Sequence, residues 1–266
     1  MAQSHHSVTN GLGAVAVNEG EANSSFARGL RVFTTIAEKG SISAGAISDA
    51  LNMPLSSVYR YLRTLQGLDL VIQVNNMYQL GSSFRILTGQ GLDPVRLAEA
   101  GLPVLRRLAS ETGETADLLG RFGLSAICVQ EAQSSFTMRI GLHVGHPMEL
   151  HAGAEQRVLL AFAPSQVIKE VVYRGLRKYT TATLPADKLL SSLEQIRATK
   201  IAVSRGEYVP GAVAVAVPIF VQGSAVYSVG VAGPKERCTS AWIHDAAASL
   251  ARASLELTDS FSGCRF

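Results

Sequence analysis

The chain has 266 residues, of which 47% are hydrophobic and 17% charged, and its formal net charge is +3. This length allows two domains of ordinary size, and the apolar content excludes a largely disordered chain. The most apolar run, 209–221, is too short to cross a bilayer as a helix, no Lys or Arg precedes Arg28 as a secretory signal requires, and the three cysteines are widely separated. We therefore expect a reduced cytoplasmic protein without a membrane partner.

The first ordered elements are predicted to be helices. Residues 1–23 are rich in Ser, Asn, Gly and Ala without periodicity, which indicates a disordered lead-in. An apolar stripe then predicts a helix that begins after Ser24 or Ser25 and ends at Gly40. A second helix is predicted over 43–51. It is followed by Asn52, a residue that tolerates the left-handed conformation of a sharp turn.

A third predicted helix, residues 55–66, has two opposed faces. Its apolar face consists of Val58, Leu62 and Leu65, and its cationic and hydroxylated face consists of Ser56, Arg60 and Arg63. The second set is displaced from the first by two residues, or about 200° around the helix. Such a helix can pack on a core with one side and enter a DNA groove with the other.

Two short predicted strands follow this helix and complete a winged helix-turn-helix pattern. Residues 70–74 and 77–80 are apolar and flank Asn75-Asn76, which is typical of a hairpin turn. The segment 24–88 holds six basic residues against three acidic ones, a mildly basic balance that permits phosphate binding. The alternative is a protein-binding winged domain in which the two arginines of the third helix form a solvated face.

The remaining sequence predicts a connecting helix and an α+β domain. Residues 84–92 are helical in character, and Asp93-Pro94 begins another helix, so a domain boundary lies near 88–94. Mixed strand and helix patterns then indicate helices on a central sheet. Strands are predicted at 115–119, 124–130, 213–221 and 225–231, with a turn at 121–123, and helices at 155–163, 165–174, 188–199 and 239–261.

The sequence resembles the IclR family of bacterial transcription regulators from about residue 26 to residue 261. In the front part the likeness lies in RGLRVFTTIAEKG (28–40), MPLSSVYRYLRTLQ (53–66) and YQLG (78–81). In the back part it lies in PVLRRLASETGETADL (103–118), ELHAGAEQRVLLAF (149–162), SRGEYVPGAVAVAVPIF (204–220) and VAGPKER (231–237). The order and spacing of these fragments carry the resemblance.

The resemblance implies an α+β fold in which an N-terminal winged helix-turn-helix is joined by a linker helix to a GAF-like or profilin-like α/β effector domain. The expected boundaries are 1–23 for the lead-in, 24–82 for the DNA-binding domain, 83–93 for the linker helix and 94–266 for the effector-binding and oligomerisation domain. The implied function is sequence-specific regulation of transcription, with repression expected rather than activation. The implied partners are double-stranded operator DNA, a small-molecule effector, expected to be an organic or aromatic acid, and a second copy of the chain in a homodimer or a dimer of dimers.

The resemblance also assigns candidate binding residues. Leu55 replaces a basic residue common in the family, and Asp69 replaces a common Gly; Ser204 and Ala214 stand where some members have an acidic residue and a Cys. The implied DNA-binding residues are Arg28, Ser56, Ser57, Tyr59, Arg60, Arg63, Asn75 and Asn76. The implied effector-binding residues are Ile140, Met148, Ala154, Glu155, Ser204, Ala212 and Ala214. Arg157 is added because it lies in the first turn of a predicted helix, where anions are attracted.

Two other functions are weighed against the regulator. The first is a metal-responsive regulator in which His143, His146 and His151, three residues within nine positions, hold a metal ion, although their spacing fits neither one strand face nor a helical pair. A small-molecule enzyme with a winged-helix assembly domain would need a catalytic group, for which Glu155 and Glu207 are the nearest candidates. No nucleophile elbow, phosphate loop or HExxH motif accompanies them, so we predict no catalytic residue, cofactor or metal.

Overall fold

The computed structural model describes residues 24–81, 94–221 and 223–263. The predicted lead-in (1–23) and the predicted linker helix (83–93) lie outside the described residues. In the part that is described, no helix is both long and apolar enough to cross a membrane.

The N-terminal domain is a winged helix-turn-helix, as predicted. A small antiparallel sheet in the order β1-β3-β2 packs beside three helices. The buried side chains of the third helix, Val58, Tyr61, Leu62 and Leu65, contact those of the other two in one apolar core. The elements are α1 (Ser25–Lys39), β1 (Ile42–Ser43), α2 (Ala44–Leu51), α3 (Leu55–Gly67), β2 (Val71–Val74) and β3 (Met77–Leu80).

The ends of the helices and the hairpin turn of this domain are fixed by one serine and three asparagines. The side chain of Ser24 accepts a hydrogen bond from the backbone N–H of Ala27 and caps α1. Asn52 ends α2 in the left-handed conformation, with φ of 46°. Asn75 and Asn76 also have positive φ, 48° and 61°, as the two central residues of a type I′ hairpin turn require.

The C-terminal domain is built on a six-stranded antiparallel sheet in the order β6-β5-β4-β9-β8-β7. Two long helices cover one face of the sheet, and three shorter helices cover the other, so the α+β prediction is confirmed. The strands are β4 (Thr115–Phe122), β5 (Ser125–Ala132), β6 (Pro147–Glu149), β7 (Ala202–Arg205), β8 (Ala212–Val221) and β9 (Ser224–Pro234). The helices are α4 (Pro94–Thr112), α5 (Ala154–Ala161), α6 (Ser165–Tyr173), α7 (Ala186–Thr199) and α8 (Ser240–Gly263).

Alternation along the central strand divides the domain into two cores. On β4, Leu118 packs with α4 and α8, whereas Leu119 packs with α5 on the opposite face. Asp117 precedes Leu118 by one residue and therefore points to the α5 face.

The structure differs from the predicted elements mainly in the short strands. β1, β6 and β7 have two, three and four residues, too few to show a periodic pattern, and no strand was predicted there. Residues 121 and 122, predicted to be in a turn, instead continue β4, and the chain turns at Gly123, whose φ is 60°.

A buried ion pair joins the two domains. Arg121 Nη1 lies 2.7 Å from Asp69 Oδ2, and both side chains are buried. Asp69 has a φ of 55°, a left-handed conformation that explains why Gly is suited to this position. The same Arg121 nitrogen donates to the carbonyl of Gly123, so the tip of the β4–β5 hairpin contacts the end of α3.

Candidate functional site

The exposed face of α3 carries the residues that the sequence predicted to meet DNA. Ser56, Tyr59, Arg60 and Arg63 are exposed, while Val58, Leu62 and Leu65 are buried, as the two-faced pattern predicts. Arg60 lies over the ring of Tyr61, 5.0 Å from its centroid, and donates to the Tyr61 hydroxyl at 3.1 Å. This contact holds the Arg60 guanidinium at the surface of the helix.

The other predicted DNA-binding residues surround α3. Arg28 is exposed on α1, and Ser57 is half-buried on α3. Asn75 and Asn76 form the exposed tip of the wing. The surface made by these residues and the exposed face of α3, here called the α3 surface, has the layout of a recognition helix flanked by a wing.

A small cavity that is partly open to solvent lies between the sheet and α5; its volume is about 40 Å³, or about 390 Å³ when the adjoining open space is included. We call it the central cavity. Its walls come from β4, β7, β8, β9, the first turn of α5 and the loops before β6 and after β7. It is lined by Asp117, Ile140, Leu142, Gly153, Glu155, Gln156, Ser204, Gly206, Glu207, Tyr208, Val209, Ala212, Ala214 and Ala232.

The structure brings five of the eight predicted effector-binding residues together around this cavity. They are Ile140, Glu155, Ser204, Ala212 and Ala214. Ser204 and Ala214 are directly paired across β7 and β8. Met148 and Ala154 do not line the cavity. Met148 Sδ instead accepts from the Gln156 amide at 3.4 Å, and Ala154 packs in the apolar core.

Arg157, predicted to contact an anionic effector, does not line the central cavity either. Its Nε and Nη2 atoms bind the two carboxylate oxygens of Glu207 at 2.9 and 2.8 Å, and both side chains are buried. Arg157 Nη2 also donates to the carbonyl of Val203. Glu207 accepts a further bond from the backbone N–H of Gly153. These bonds fix the loop after β7 to the start of α5. The Arg157 guanidinium already binds the Glu207 carboxylate, so its charge is not directed into the cavity.

Small residues make the space in the cavity. Ala212, Ala214 and Ala232 project little side-chain volume from β8 and β9. Gly230 on β9 leaves room for Glu155, since a Cβ at this position would collide with the Glu155 carboxyl group. The β4–β9 register pairs Gly230 with Asp117, so the two carboxyl groups lie close to each other above the sheet.

Burial raises the pKa values of the Glu155 and Asp117 carboxyl groups, and also that of Glu207. Desolvation raises the pKa of Glu155 to about 7, although Arg157 opposes the shift. Desolvation, reinforced by the nearby Glu155 and Glu131 carboxylates, raises the pKa of Asp117 well above its usual range. Desolvation also raises the pKa of Glu207 in spite of its ion pair with Arg157. The cavity therefore holds three carboxyl groups whose pKa values are raised above their ordinary range, that of Glu155 to about 7.

The three histidines proposed as a metal site do not converge. His151 is buried, and its ring contacts the Arg177 carbonyl and the Glu149 carboxylate at 2.8 and 3.2 Å. His143 and His146 are exposed in the loop before β6. Over 24–81, 94–221 and 223–263, no group of three potential metal-ligating side chains is close enough to hold an ion.

Nine of the fourteen lining residues were not predicted as effector-binding residues from the sequence, and Asp117 and Gln156 are two of them. Asp117 is the one charged residue of TADLLG, the apolar first part of β4, and a charge within a buried strand is the signal that could have found it. Gln156 follows Glu155 in a helix that is buried throughout, so periodicity gave no sign of which face lines a cavity.

Comparison with known proteins matches both domains to one family. The helix-turn-helix domain of IclR matches residues 25–74, and the C-terminal domain of the bacterial transcriptional regulator IclR matches residues 90–258. The HTH-type transcriptional repressor AllR of Salmonella paratyphi A is 31% identical over 219 residues, 80% of each chain. The transcriptional repressor IclR of Escherichia coli is 28% identical over 249 residues, 91% of each chain.

Solved structures share the fold. An IclR homologue from Microbacterium hydrocarbonoxydans, crystallised with 4-hydroxybenzoate, is 19% identical, covers 90% of this chain and 99% of its own, and superimposes with a TM-score of 0.59. The winged helix-turn-helix, the layered C-terminal domain and the two family matches all agree. The chain therefore belongs to the IclR family of DNA-binding bacterial transcription regulators.

Proposed function

We propose that this protein represses transcription by binding operator DNA through the α3 surface, and that a small molecule held in the central cavity controls this binding. The observation that carries the proposal is the coexistence of an exposed helix face with two arginines in one domain and, in the other, a partly enclosed, largely apolar cavity whose lining includes carboxyl groups. Repression is inferred from AllR and IclR, which are both named as repressors.

The proposed binding of DNA is supported by the two faces of α3, one buried and one exposed. Its buried face fixes the helix on the core, so Arg60 and Arg63 project from a rigid support. Arginine is the side chain best suited to guanine edges and to phosphates. We propose that Ser56, Ser57, Tyr59, Arg60 and Arg63 contact the major groove, while Arg28, Asn75 and Asn76 contact the backbone.

The proposed binding of DNA is tested by alanine substitution. A binding sequence is first selected from random duplexes, and affinity is then measured for Arg60→Ala and Arg63→Ala over a salt titration. An arginine that reads a base is expected to cost about 1–3 kcal/mol, and one that contacts a phosphate should reduce the salt slope by about one. Arg205→Ala, at an exposed position in the C-terminal domain, is the matched control. Unchanged binding by both α3 variants would show that another surface contacts DNA.

The control by a small molecule is supported by the cavity and by the ligand-bound Microbacterium homologue. A ligand can act only if it binds one arrangement of the protein better than the other. We propose that it is bound and released unchanged, so the protein is not an enzyme. Recovery of a chemically altered ligand after incubation with the protein would contradict this.

We further propose a homodimer, or a dimer of dimers, that acts in the cytoplasm on a palindromic operator. Phe26 and Leu30 lie one turn apart on α1 and are 77% and 45% exposed, an apolar pair that a second copy could cover. Light scattering of the protein and of a Phe26→Ser variant tests the dimer, which the variant should weaken.

The proposed domain limits are 24–82 for the DNA-binding domain, 83–93 for the linker helix and 94–266 for the effector-binding and oligomerisation domain.

A further inference from the structure

One wall of the central cavity consists of hydrogen-bond acceptors that lack donors. Asp117, Glu155 and Gln156 are 0%, 3% and 1% exposed, and all three line the cavity. Both carboxyl oxygens of Asp117, Oε1 of Glu155 and Oε1 of Gln156 have no hydrogen-bond partner among the described residues. Buried polar atoms nearly always have a partner, so four such atoms in one wall point to a ligand that supplies the donors.

The charges around the cavity indicate which kind of ligand this is. Asp117, Glu155 and Glu207 all line it, and none of the lining residues that the structure describes is Lys, Arg or His. Arg157, in the first turn of α5, is held by both oxygens of Glu207. Glu131 faces Asp117 from β5 and accepts a hydrogen bond from the backbone of Leu142, which adds a further negative group. A bound cation would favour the ionised form of these carboxyl groups and be attracted to it, whereas an anionic group would find no free countercharge among the lining residues.

The shape of the cavity is also asymmetric. The wall formed by Asp117, Glu155 and Gln156, here called the acceptor wall, lies beside Gly230 and small alanines. These small residues leave open space next to the two carboxyl groups. Ile140 and Leu142 contribute apolar surface from the loop before β6. A ligand with a compact polar head and an apolar body would match both parts.

We propose that the central cavity binds the positively charged, N–H-bearing end of its effector, an ammonium, amidinium or guanidinium group, against Asp117 and Glu155. The apolar part of the effector then contacts Ile140 and Leu142. This inference rests on the proposed function of the cavity as the effector site, and it names the chemical class of the group that enters. It allows an effector that also carries an acid group at its outer end.

The test compares three probes that share one ring and differ only in the head group: benzamidine, benzamide and benzoate. Binding to the full-length protein is measured by calorimetry at constant pH and salt. Benzamidine is expected to bind at least about tenfold more tightly than either of the others, because charge-assisted hydrogen bonds to buried carboxylates are the strong ones.

Variants localise the effect. Glu155→Gln and Asp117→Asn keep the side-chain shape, and each should weaken benzamidine binding by at least about tenfold. Glu194→Gln removes an exposed carboxylate on α7 and is the matched control, for which no change is expected. The fluorescence of Trp242 on α8, the one tryptophan of the chain, reports whether each variant keeps the folded C-terminal domain.

Three outcomes would overturn the inference: benzoate binding as tightly as benzamidine, benzamidine binding that survives both substitutions in folded variants, or no binding of any probe up to about 10 mM. Its failure is separable from that of the proposed function. If benzoate binds and changes the affinity for DNA, the cavity is an effector site with another chemistry. If benzamidine binds through Asp117 and Glu155 but no cavity ligand alters DNA binding, the inference holds and the proposed control of DNA binding is wrong.

Discussion

Replacing Glu155 by Gln is expected to stabilise the C-terminal domain at alkaline pH far more than at acidic pH. The Glu155 side chain is only 3% exposed, and burial raises its pKa from 4.5 to about 7. A carboxyl group whose pKa is raised by folding favours the folded state below its unfolded pKa. That contribution is lost as the pH rises through the folded pKa, because the unfolded chain then releases a proton that the folded one retains. Gln has no proton to lose.

The size of the effect follows from the two pKa values. A difference of about 2.5 pH units corresponds to about 3 kcal/mol when fully developed. Between pH 5 and pH 8, about 2.5 kcal/mol of this difference should appear. The free energy of unfolding of the wild-type protein should therefore fall relative to that of Glu155→Gln by this amount. Asp117 and Cys128 respond to the Glu155 charge, so the measured difference also includes the change in their own pKa values when Glu155 becomes Gln.

Urea unfolding at several pH values between 5 and 8 provides the measurement. Trp242 is the one tryptophan, and its Nε1 donates to the carbonyl of Thr112 at 2.8 Å, so its fluorescence follows the packing of α8 on α4. The signal therefore reports on the C-terminal domain rather than on the winged helix-turn-helix. The exposed control Glu194→Gln should change the free energy of unfolding by less than about 0.5 kcal/mol at every pH.

Parallel pH profiles for the wild-type protein and Glu155→Gln would refute the reasoning. That result would mean that Glu155 binds protons equally well in the folded and unfolded states. The carboxyl group would then be solvated or hydrogen-bonded in solution, and the acceptor wall of the central cavity would lose one of its two acids.

Two further predictions concern the surroundings of the cavity. Arg157→Ala should destabilise the C-terminal domain by about 3–5 kcal/mol, since Glu207 would stay buried without its countercharge, and Arg174→Ala, in an exposed pair, should cost less than about 1 kcal/mol. Equal costs in urea unfolding would contradict the structural role given to the buried pair. Gly230→Ala should cost about 1–3 kcal/mol and abolish benzamidine binding, because the new Cβ would displace the Glu155 carboxyl group. Retained stability together with retained binding would show that the carboxyl group lies elsewhere.

The sequence alone determined most of the N-terminal domain because its signals are local. The two faces of α3 follow from helical periodicity, and the turns at Asn52, Asn75 and Asn76 follow from the tolerance of Asn for positive φ. Each of these depends on residues a few positions apart. The family resemblance then identified the C-terminal domain, where strand and helix patterns were correct for all but the shortest strands.

The cavity could be predicted only in part. Fragments of the family pattern named Glu155, Ser204 and Ala214, which line it, and also Met148 and Ala154, which do not. In a helix buried on all sides, such as α5, neighbouring residues differ in what they contact and not in how exposed they are. Sequence periodicity therefore cannot show which of them line the cavity and which pack in the core.

The pairing of distant side chains was decided by the tertiary structure alone. Arg157 looked like an anion contact because it begins a helix, and only the fold brings it to Glu207, fifty residues further along the chain. Asp117 became part of the site through its register with Gly230 on β9 and its approach to Glu155 on α5. Local patterns fix helices, turns and the surface that faces DNA. The charge and the hydrogen-bonding capacity of a cavity are set by long-range packing, which no local pattern records.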